Sequence, residues 1–478
     1  MLYPIHKEVH LEISPLEAYS ILRNGGFSFF LDSARTHPVT GRYSFIGVDP
    51  FLIFRAKGTS IEIESKSGIK KLEGNPFLVL KDILDNYRVS SDEGLPNFIG
   101  GAVGYIGYDC LHFFEEVPHR APDDLLLPDI YFIFVDVVIA FDHIENKIKI
   151  ITLAPFSKNN GKFYDEAVDK IEKVLEKLKS SNSYELDKIR VNSNCNGEVK
   201  SNFTRHEFES IVKKAKEYIK AGDIYQANLS HRFWTKCDAP AFELYKTLRQ
   251  INPSPFACFL DFGELKIVSS SPERLLKVDK RSVETRPIAG TRPRGGNSKE
   301  DLEKTLELIL SDKERAEHIM LVDLERNDLG RVCEYGTVKV NELMALEEYS
   351  HVIHIVSNVQ GRLKEGSDRF DLIRAAFPGG TITGCPKVRC MEIIDELEPV
   401  ARGPYTGSVG YLSFNGDMDL NIIIRTFVIK GQDAYVQVGA GIVADSDPTK
   451  EYYETFYKAE ALLKALKMVR QPCYIQRS

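Results

Sequence analysis

Two stretches of the sequence carry paired carboxylates at helical spacing. Glu314 and Glu317 stand three residues apart in Lys313-Glu-Arg-Ala-Glu-His-Ile-Met-Leu-Val-Asp-Leu, and Glu451 and Glu454 do so in Lys450-Glu-Tyr-Tyr-Glu-Thr-Phe-Tyr-Lys, with Lys458 one turn further on. On a helix this spacing turns both carboxylates to the same side. A hard Mg²⁺ ion takes such oxygens, commonly one or two from the protein and the rest from water and substrate. The same pattern also suits a solvated helix face, and spacing alone does not choose between the two. Glu273 closes the strand-like run Ser269-Ser-Ser-Pro-Glu. There it reads either as a helix N-terminal charge or, in dry surroundings, as a carboxyl of raised pKa able to act as acid or base.

Glycine-rich segments supply a second ingredient. Phe377-Pro-Gly-Gly-Thr-Ile-Thr-Gly-Cys-Pro-Lys precedes a helix-like run at Val388–Leu397. Its backbone N–H groups, with the Thr hydroxyls and Lys387, could hold an anion, although the spacing is not that of a phosphate P-loop. Gly439-Ala-Gly-Ile-Val-Ala-Asp-Ser offers another place where backbone can approach a ligand closely. Both also suit tight turns packed on the core. Arg425 lies in the apolar run Ile422-Ile-Ile-Arg-Thr, where a strand would carry it inward and demand an anionic partner. His351 and His354 sit in a similarly apolar stretch, where a histidine is commonly a satisfied core residue.

The elements that must position these groups are legible from periodicity. Strand-like runs are expected at Phe27–Leu31, Tyr43–Val48, Leu52–Ala56, Ile130–Phe141, Lys147–Leu153, Ala257–Leu260, Leu265–Ser269, Gly407–Phe414 and Tyr435–Val443. Helices are expected at Tyr164–Leu178, Arg205–Ala221 and Ala241–Ile251. Turn signals at Phe414-Asn-Gly-Asp and Lys430-Gly-Gln-Asp favour hairpins and hence antiparallel pairing. The class is α+β, with large antiparallel sheets covered by helices. The polar Ser/Asn-rich stretch at 179–202 divides the chain into an N-terminal part, 1–178, and a C-terminal part, 203–470.

Composition bounds the function classes. The chain has 478 residues, with 62 Lys+Arg against 69 Asp+Glu for a net charge of −7, which argues against nucleic acid as a partner. Apolar residues make up 43%, ample for a large core. No membrane span is expected, since the most apolar stretch, Ile130–Phe141, is short and broken by Asp136. The N-terminus shows no secretory pattern, and the eight cysteines form no C-x-x-C pair, which reads as a cytoplasmic chain with reduced thiols. Cys385 and Cys390 are close enough in sequence to be considered as a redox pair.

Together these segments resemble the chorismate-binding enzymes. The resemblance rests on Pro287-Ile-Ala-Gly-Thr-Arg-Pro-Arg-Gly, Glu314-Arg-Ala-Glu-His with Leu321-Val-Asp-Leu-Glu-Arg-Asn-Asp-Leu-Gly-Arg, Gly379-Gly-Thr-Ile-Thr-Gly-Cys-Pro-Lys and Gly439-Ala-Gly-Ile-Val-Ala-Asp-Ser, running from about Ser201 to Leu466. It extends N-terminally through Leu31-Asp-Ser-Ala and Gly41-Arg-Tyr-Ser-Phe-Ile-Gly-Val-Asp-Pro, which suits the amino-transferring members.

The resemblance implies one two-layered α/β sandwich and a Mg²⁺-dependent reaction of chorismate with ammonia. It implies Glu317 and Glu454 as Mg²⁺ ligands supported by Glu314 and Glu451, with the metal clamping the ring carboxylate beside Thr381 and the backbone of Gly439, Ala440 and Gly441. Arg425, Tyr405 and Lys458 would hold the enolpyruvyl side chain, Glu273 would protonate the departing C4 hydroxyl, and His354 would assist near the same centre. Ala289 stands where many aminodeoxychorismate-forming members carry a lysine that attacks C2, a departure shared with the anthranilate-forming members. Gly222-Asp-Ile-Tyr-Gln-Ala-Asn-Leu-Ser, Gly379-Gly-Thr-Ile, Ser357-Asn-Val-Gln-Gly and the departures at Leu31-Asp-Ser and Pro253-Ser-Pro-Phe-Ala from the usual tryptophan-feedback pattern favour the aminodeoxychorismate branch. No Gly-x-Cys-x-Gly nucleophile segment occurs, so ammonia is expected from a separate glutamine amidotransferase subunit.

Overall fold

The computed structural model describes residues 2–34, 41–89, 94–155, 160–180, 198–295, 297–348 and 352–470. Two twelve-stranded antiparallel sheets dominate it. The first runs in the order Leu2–Val9, Lys147–Pro155, Val137–Asp142, Tyr43–Val48, Ser28–Asp32, Phe256–Phe262, Leu265–Ser271, Thr426–Lys430, Asp433–Ile442, Gln226–Lys236, Lys200–Ser201, with Gly384–Cys385 also paired to Gln226–Lys236. The second places Met418–Ile422, Ser408–Ser413, Gly101–Ile106, Ile130–Val135 and Leu52–Lys57 side by side at its centre. In each sheet a block of strands from before residue 200 is hydrogen-bonded edge to edge with a block from after it, Ser28–Asp32 to Phe256–Phe262 in the first and Gly101–Ile106 to Ser408–Ser413 in the second, so the two parts of the chain share one core.

That core is layered. The larger apolar cluster fills the space between the sheets, with Phe54, Phe98, Tyr105, Phe132, Phe134 and Leu412 fully buried. A second cluster lies between the first sheet and the helices Pro15–Leu22, Asn160–Ser180, Ala241–Ile251 and Pro448–Arg470. Both expected hairpins form, Ser408–Ser413 with Met418–Ile422 and Thr426–Lys430 with Asp433–Ile442, the latter closing at Lys430↔Asp433. The Arg205–Ala221 helix has the expected bounds because Thr204 and Glu207 cap its start reciprocally and Gly222, at φ 85°, ends it.

Two expectations need correction. Ile130–Phe141 is not one strand: Asp136 separates Ile130–Val135 in the second sheet from Val137–Asp142 in the first, and its carboxylate takes Lys170 at 2.5 Å. Arg425 is not on a strand: it follows Met418–Ile422 of the second sheet and precedes Thr426–Lys430 of the first, at φ 49°. The apolar run Ile422–Ile424 marks the core-crossing segment.

The chain also crosses from the first sheet to the second between Leu265–Ser271 and Arg274–Asp279, and Glu273 lies in that crossing. The two crossings are stitched together, with Ile422 N donating to the Glu273 carbonyl at 3.0 Å and Ser270 N to the Arg425 carbonyl at 3.1 Å. A residue at such a crossing cannot follow strand alternation, so its side chain is free to face the seam. Among the described residues no helix is long and apolar enough to cross a membrane. Cys110, Cys237, Cys258, Cys333, Cys385 and Cys390 are all free thiols, and Cys390 donates to the Gln226 carbonyl instead of pairing with Cys385.

Candidate active site

Glu273 is 5% exposed, and burial pushes its carboxyl up to about 8. Ile288 N donates to its Oε1 at 3.2 Å, and Thr381 and Arg425 pull in the same ionising direction without cancelling the burial. Thr381 Oγ1 is itself buried and, Glu273 apart, has no hydrogen-bond partner among the described residues. At neutral pH the group is therefore a protonated acid in a dry seam.

Ala289 follows Ile288, the residue that braces the acid, and is 7% exposed. The next residue, Gly290, takes φ 71° and interrupts the ladder against Val352–Arg362, with Ala289 opposite Ile355 and Thr291 opposite His354. The Gly290 backbone holds His354, whose imidazole is driven down to about 3 by burial and then by the Arg425 charge. His354 is neutral at any working pH. The other candidate histidine, His351, lies outside the described residues.

Helix Asp312–Val332 carries Glu314 and Glu317, and helix Pro448–Arg470 carries Glu451 and Glu454. Glu317 is raised by burial and by Glu314, partly relieved by a 2.8 Å hydrogen bond from Gln226 Nε2. Glu451 is raised by burial and by Glu454. Lys313 and Lys458 act on both Glu317 and Glu451, which places the two pairs in one electrostatic neighbourhood. Glu314 takes Arg292 at 3.0 Å, and Glu454 takes Lys458 at 2.8 Å, whose ammonium also donates to the Gly439 carbonyl at 2.8 Å.

Among the described residues no three His, Cys, Asp or Glu side chains stand close enough to hold one ion. The donors come in pairs of crowded, partly buried carboxylates, all oxygen, and this fits a Mg²⁺ site of one or two protein ligands completed by water and substrate.

The floor between acid and carboxylates is backbone. A Cβ on Gly439 would lie 2.1 Å from Asn228 Oδ1 and 2.8 Å from the Tyr405 hydroxyl, and one on Gly441 would lie 2.7 Å from Gln226 Nε2. Gly439, Ala440 and Gly441 therefore bring bare main chain against Asn228, Tyr405 and Gln226, as the glycine pattern suggested. Asn228 Nδ2 donates to the Thr381 carbonyl at 3.3 Å, joining this floor to the Gly379–Thr381 turn.

Lys387 is not available to an anion at that turn. It is paired with Asp328 and donates to the Ala376 carbonyl at 2.9 Å.

Sequence reasoning missed Gln226 and Asn228 as side chains of the site, and Glu325 behind it. Glu325 is fully buried and held up at about 7, accepting from Thr285 Oγ1 at 3.2 Å and Gly380 N at 3.4 Å. A signal was available: Leu321, Val322, Glu325, Asp328, Leu329 and Val332 share the buried face of their helix, so two carboxylates occupy core positions.

The comparisons with known proteins say which family this two-sheet α+β unit belongs to. The family described as chorismate binding enzyme matches residues 29–464. The chain belongs to that family. It is 44% identical over 469 residues to anthranilate synthase component 1 of Acetivibrio thermocellus, covering 97% of this chain and 95% of that protein. It is 43% identical over 446 residues to aminodeoxychorismate synthase component 1 of Bacillus subtilis, covering 93% of each. Its fold is similar to the crystal structure of anthranilate synthase component I from Streptococcus pneumoniae, with a TM-score of 0.79 at 34% identity over 95% of this chain and 98% of that one.

Proposed function

We propose that the chain is the synthase component of an aminodeoxychorismate synthase, converting chorismate and ammonia to 4-amino-4-deoxychorismate and water, with ammonia supplied by a glutamine amidotransferase subunit. The observation that carries this reading is where the discriminating segments lie. Gly222–Ser230 and Gly379–Ile382, which resemble the aminodeoxychorismate branch, supply Gln226 on Glu317 and Asn228 on the Thr381 carbonyl, inside the site itself. The similarity to the Bacillus subtilis protein supports it. Asp32 adds to this, because its carboxylate is taken internally by Tyr245 at 2.7 Å and Arg249 at 2.5 Å. The second reading, anthranilate plus pyruvate, is favoured by Ala289 and by the similarity to anthranilate synthases.

Chorismate is a dianion, so its recognition needs cations and N–H dipoles. Glu317 and Glu454, with Glu314 and Glu451 beside them, would hold Mg²⁺, which when bound supplies positive charge to the ring carboxylate. Arg425, Tyr405 and Lys458 hold the enolpyruvyl group, while Thr381 and the Gly439–Gly441 backbone orient the ring. Glu273 gives its proton to the C4 hydroxyl, which leaves as water, and is left as a carboxylate. Hydroxide is a poor leaving group, so a protonated acid at neutral pH is the chemical requirement that burial meets. Neutral His354 orients the same centre through hydrogen bonding and does not deliver a proton from an imidazolium.

With alanine at 289, ammonia or water adds at C2 in place of a lysine as the C4 hydroxyl leaves, and ammonia then adds at C4 and expels that C2 substituent, which gives the 4-amino product. A289K is expected to change the rate and to leave a trappable covalent adduct; no rate change and no adduct would together count against Ala289 lying beside C2. The direct test is purified chain with chorismate, Mg²⁺ and ammonium, products separated by chromatography and pyruvate followed by a coupled assay. Aminodeoxychorismate without pyruvate is the expected result. Fluorescent anthranilate with stoichiometric pyruvate would establish the second reading.

A further inference from the structure

A charged cavity of about 240 Å³ lies outside the candidate site, with none of that site's residues in its lining. Its walls include Leu84, Val89, Val278, Leu363 and Phe414, and its polar lining includes Arg88, Lys280, Arg281 and Arg369 against Asp85 and Asp368. Most of these charges answer one another. Arg88 takes Asp85 at 3.0 Å, Asp368 takes Lys81, and Arg281 takes Glu334 at 2.7 Å and the Leu363 carbonyl at 2.6 Å.

Two cations are left over. Arg369 is only 8% exposed, yet among the described residues no carboxylate lies within ion-pair distance of it. Its Nη1 donates to the Ser413 carbonyl at 2.6 Å and the Asp417 carbonyl at 3.1 Å. Nε and Nη2 of the guanidinium donate to no protein group among the described residues, and Arg369 lines the cavity. The Asp417 carboxylate is spent on Lys280 N at 2.7 Å, Asn97 at 2.9 Å and Asn415 at 3.0 Å. Lys280 stands at the exposed turn between Arg274–Asp279 and Ser282–Thr285, held at φ 57°, and its ammonium pairs with no acid among the described residues.

Asp368, Asp85 and Asp417 act on this guanidinium from beyond ion-pair distance, but its hydrogen bonds go only to carbonyl dipoles, so it lacks a counter-ion in contact. The edge it leaves open is the planar pair of N–H donors that binds a carboxylate or phosphate through two parallel hydrogen bonds. The apolar wall gives such an anion somewhere to put its body, since a cavity of about 150 Å³ lined by apolar side chains suffices for benzene.

We propose that this cavity is a binding site for a small organic oxyanion, a carboxylate or phosphate monoester on a ring-sized apolar body, held bidentately by Arg369 and across the mouth by Lys280. The ligand meets Arg369 with two oxygens of one group and rests its body on Phe414, Val278 and Leu84. Nothing in this site takes part in chorismate recognition.

Isothermal titration of the full chain with benzoate, phenyl phosphate and inorganic phosphate tests it. Saturable binding of benzoate or phenyl phosphate at one site per chain is expected, and the tighter of the two tells a carboxylate ligand from a phosphate one. Inorganic phosphate, lacking a body, is expected to bind at least tenfold more weakly; equal affinity would remove the apolar wall from the account.

R369K keeps a donor for the carbonyls but loses the planar edge, and K280E reverses an exposed charge outside any buried network. Each is expected to weaken binding at least tenfold, while R425A leaves it unchanged. No saturable binding at millimolar concentration overturns the proposal. So does binding that survives R369K and K280E, or that is lost in R425A, which would place the anion in the catalytic seam.

Discussion

Two groups of carboxylates belong to the candidate site, and the fold treats them in opposite ways. Glu273, at the crossing between the sheets, and Glu325, on the core face of helix Asp312–Val332, are both deeply buried, and burial holds them up at about 8 and about 7. Glu314, Glu317, Glu451 and Glu454 stand between two helices, and Arg292, Gln226 and Lys458 donate directly to three of them. The first group is built to keep a proton and the second to accept positive charge. The difference comes from backbone placement: a chain crossing or the core face of a helix leaves a carboxyl in dry surroundings, while the outer turns of the two helices put theirs in pairs at a rim reached by long cationic side chains.

The sharpest way to break this division is Glu273→Gln. It removes the proton while keeping the shape, and turnover of chorismate is expected to fall by about 10²–10⁴-fold. The same variant carries a stability signature. Glu273 titrates near 8 in the folded chain and near 4.3 unfolded. The folded state therefore holds an extra proton between those values, and the stability this gives is fully present below about 4.3 and lost as pH rises through 8. Thermal melts of Glu273→Gln should lose that alkaline decline, becoming relatively more stable than wild type at pH 9.

On the cation side, Glu317→Gln should leave the alkaline limb of the pH profile where it is. It should raise the magnesium concentration needed for half-maximal chorismate consumption by at least about tenfold. A parallel shift of the limb would mean that the two carboxylate groups are not separate. Gly441→Ala reaches the same side indirectly, since its Cβ would come within 2.7 Å of Gln226 Nε2 and push the amide off Glu317. A rise of about five- to tenfold in the magnesium or chorismate requirement, with kcat less affected, is expected from steady-state kinetics.

The smallest effect should come from Thr381→Val. The hydroxyl lowers the Glu273 pKa, so its removal moves the alkaline limb to slightly higher pH with about a threefold change in rate.

Much of the frame was legible because it is local. Hairpin turns, the Thr204 cap and the 3.6-residue periods of Arg205–Ala221 and Ala241–Ile251 depend on neighbours in sequence. The carboxylate pairs and the bare backbone at Gly439–Gly441 were legible for the same reason. What could not be read was where the chain leaves one sheet for the other. Ile130–Phe141 and Ile422–Thr426 each read as one apolar run with a single charged residue in it, and a lone Asp136 or Arg425 does not by itself mark a change of sheet or a left-handed turn.

Partnerships across long separations were equally hidden. Gln226 reaches Glu317 over 91 residues and Lys387 reaches Asp328 over 59, so the amide's role was missed and the lysine was assigned to an anion it does not face.

The proton-keeping role of Glu273 is the centre of this account, and the pH dependence of kcat/KM for chorismate tests it most directly. The measurement uses wild-type chain at saturating Mg²⁺ with free ammonia held constant as pH is varied. The account predicts a rate that is level through neutrality and falls with an apparent pKa near 8, a limb absent from the residual activity of Glu273→Gln. A wild-type profile that stays level, or rises, from pH 7 to 9.5 would contradict it.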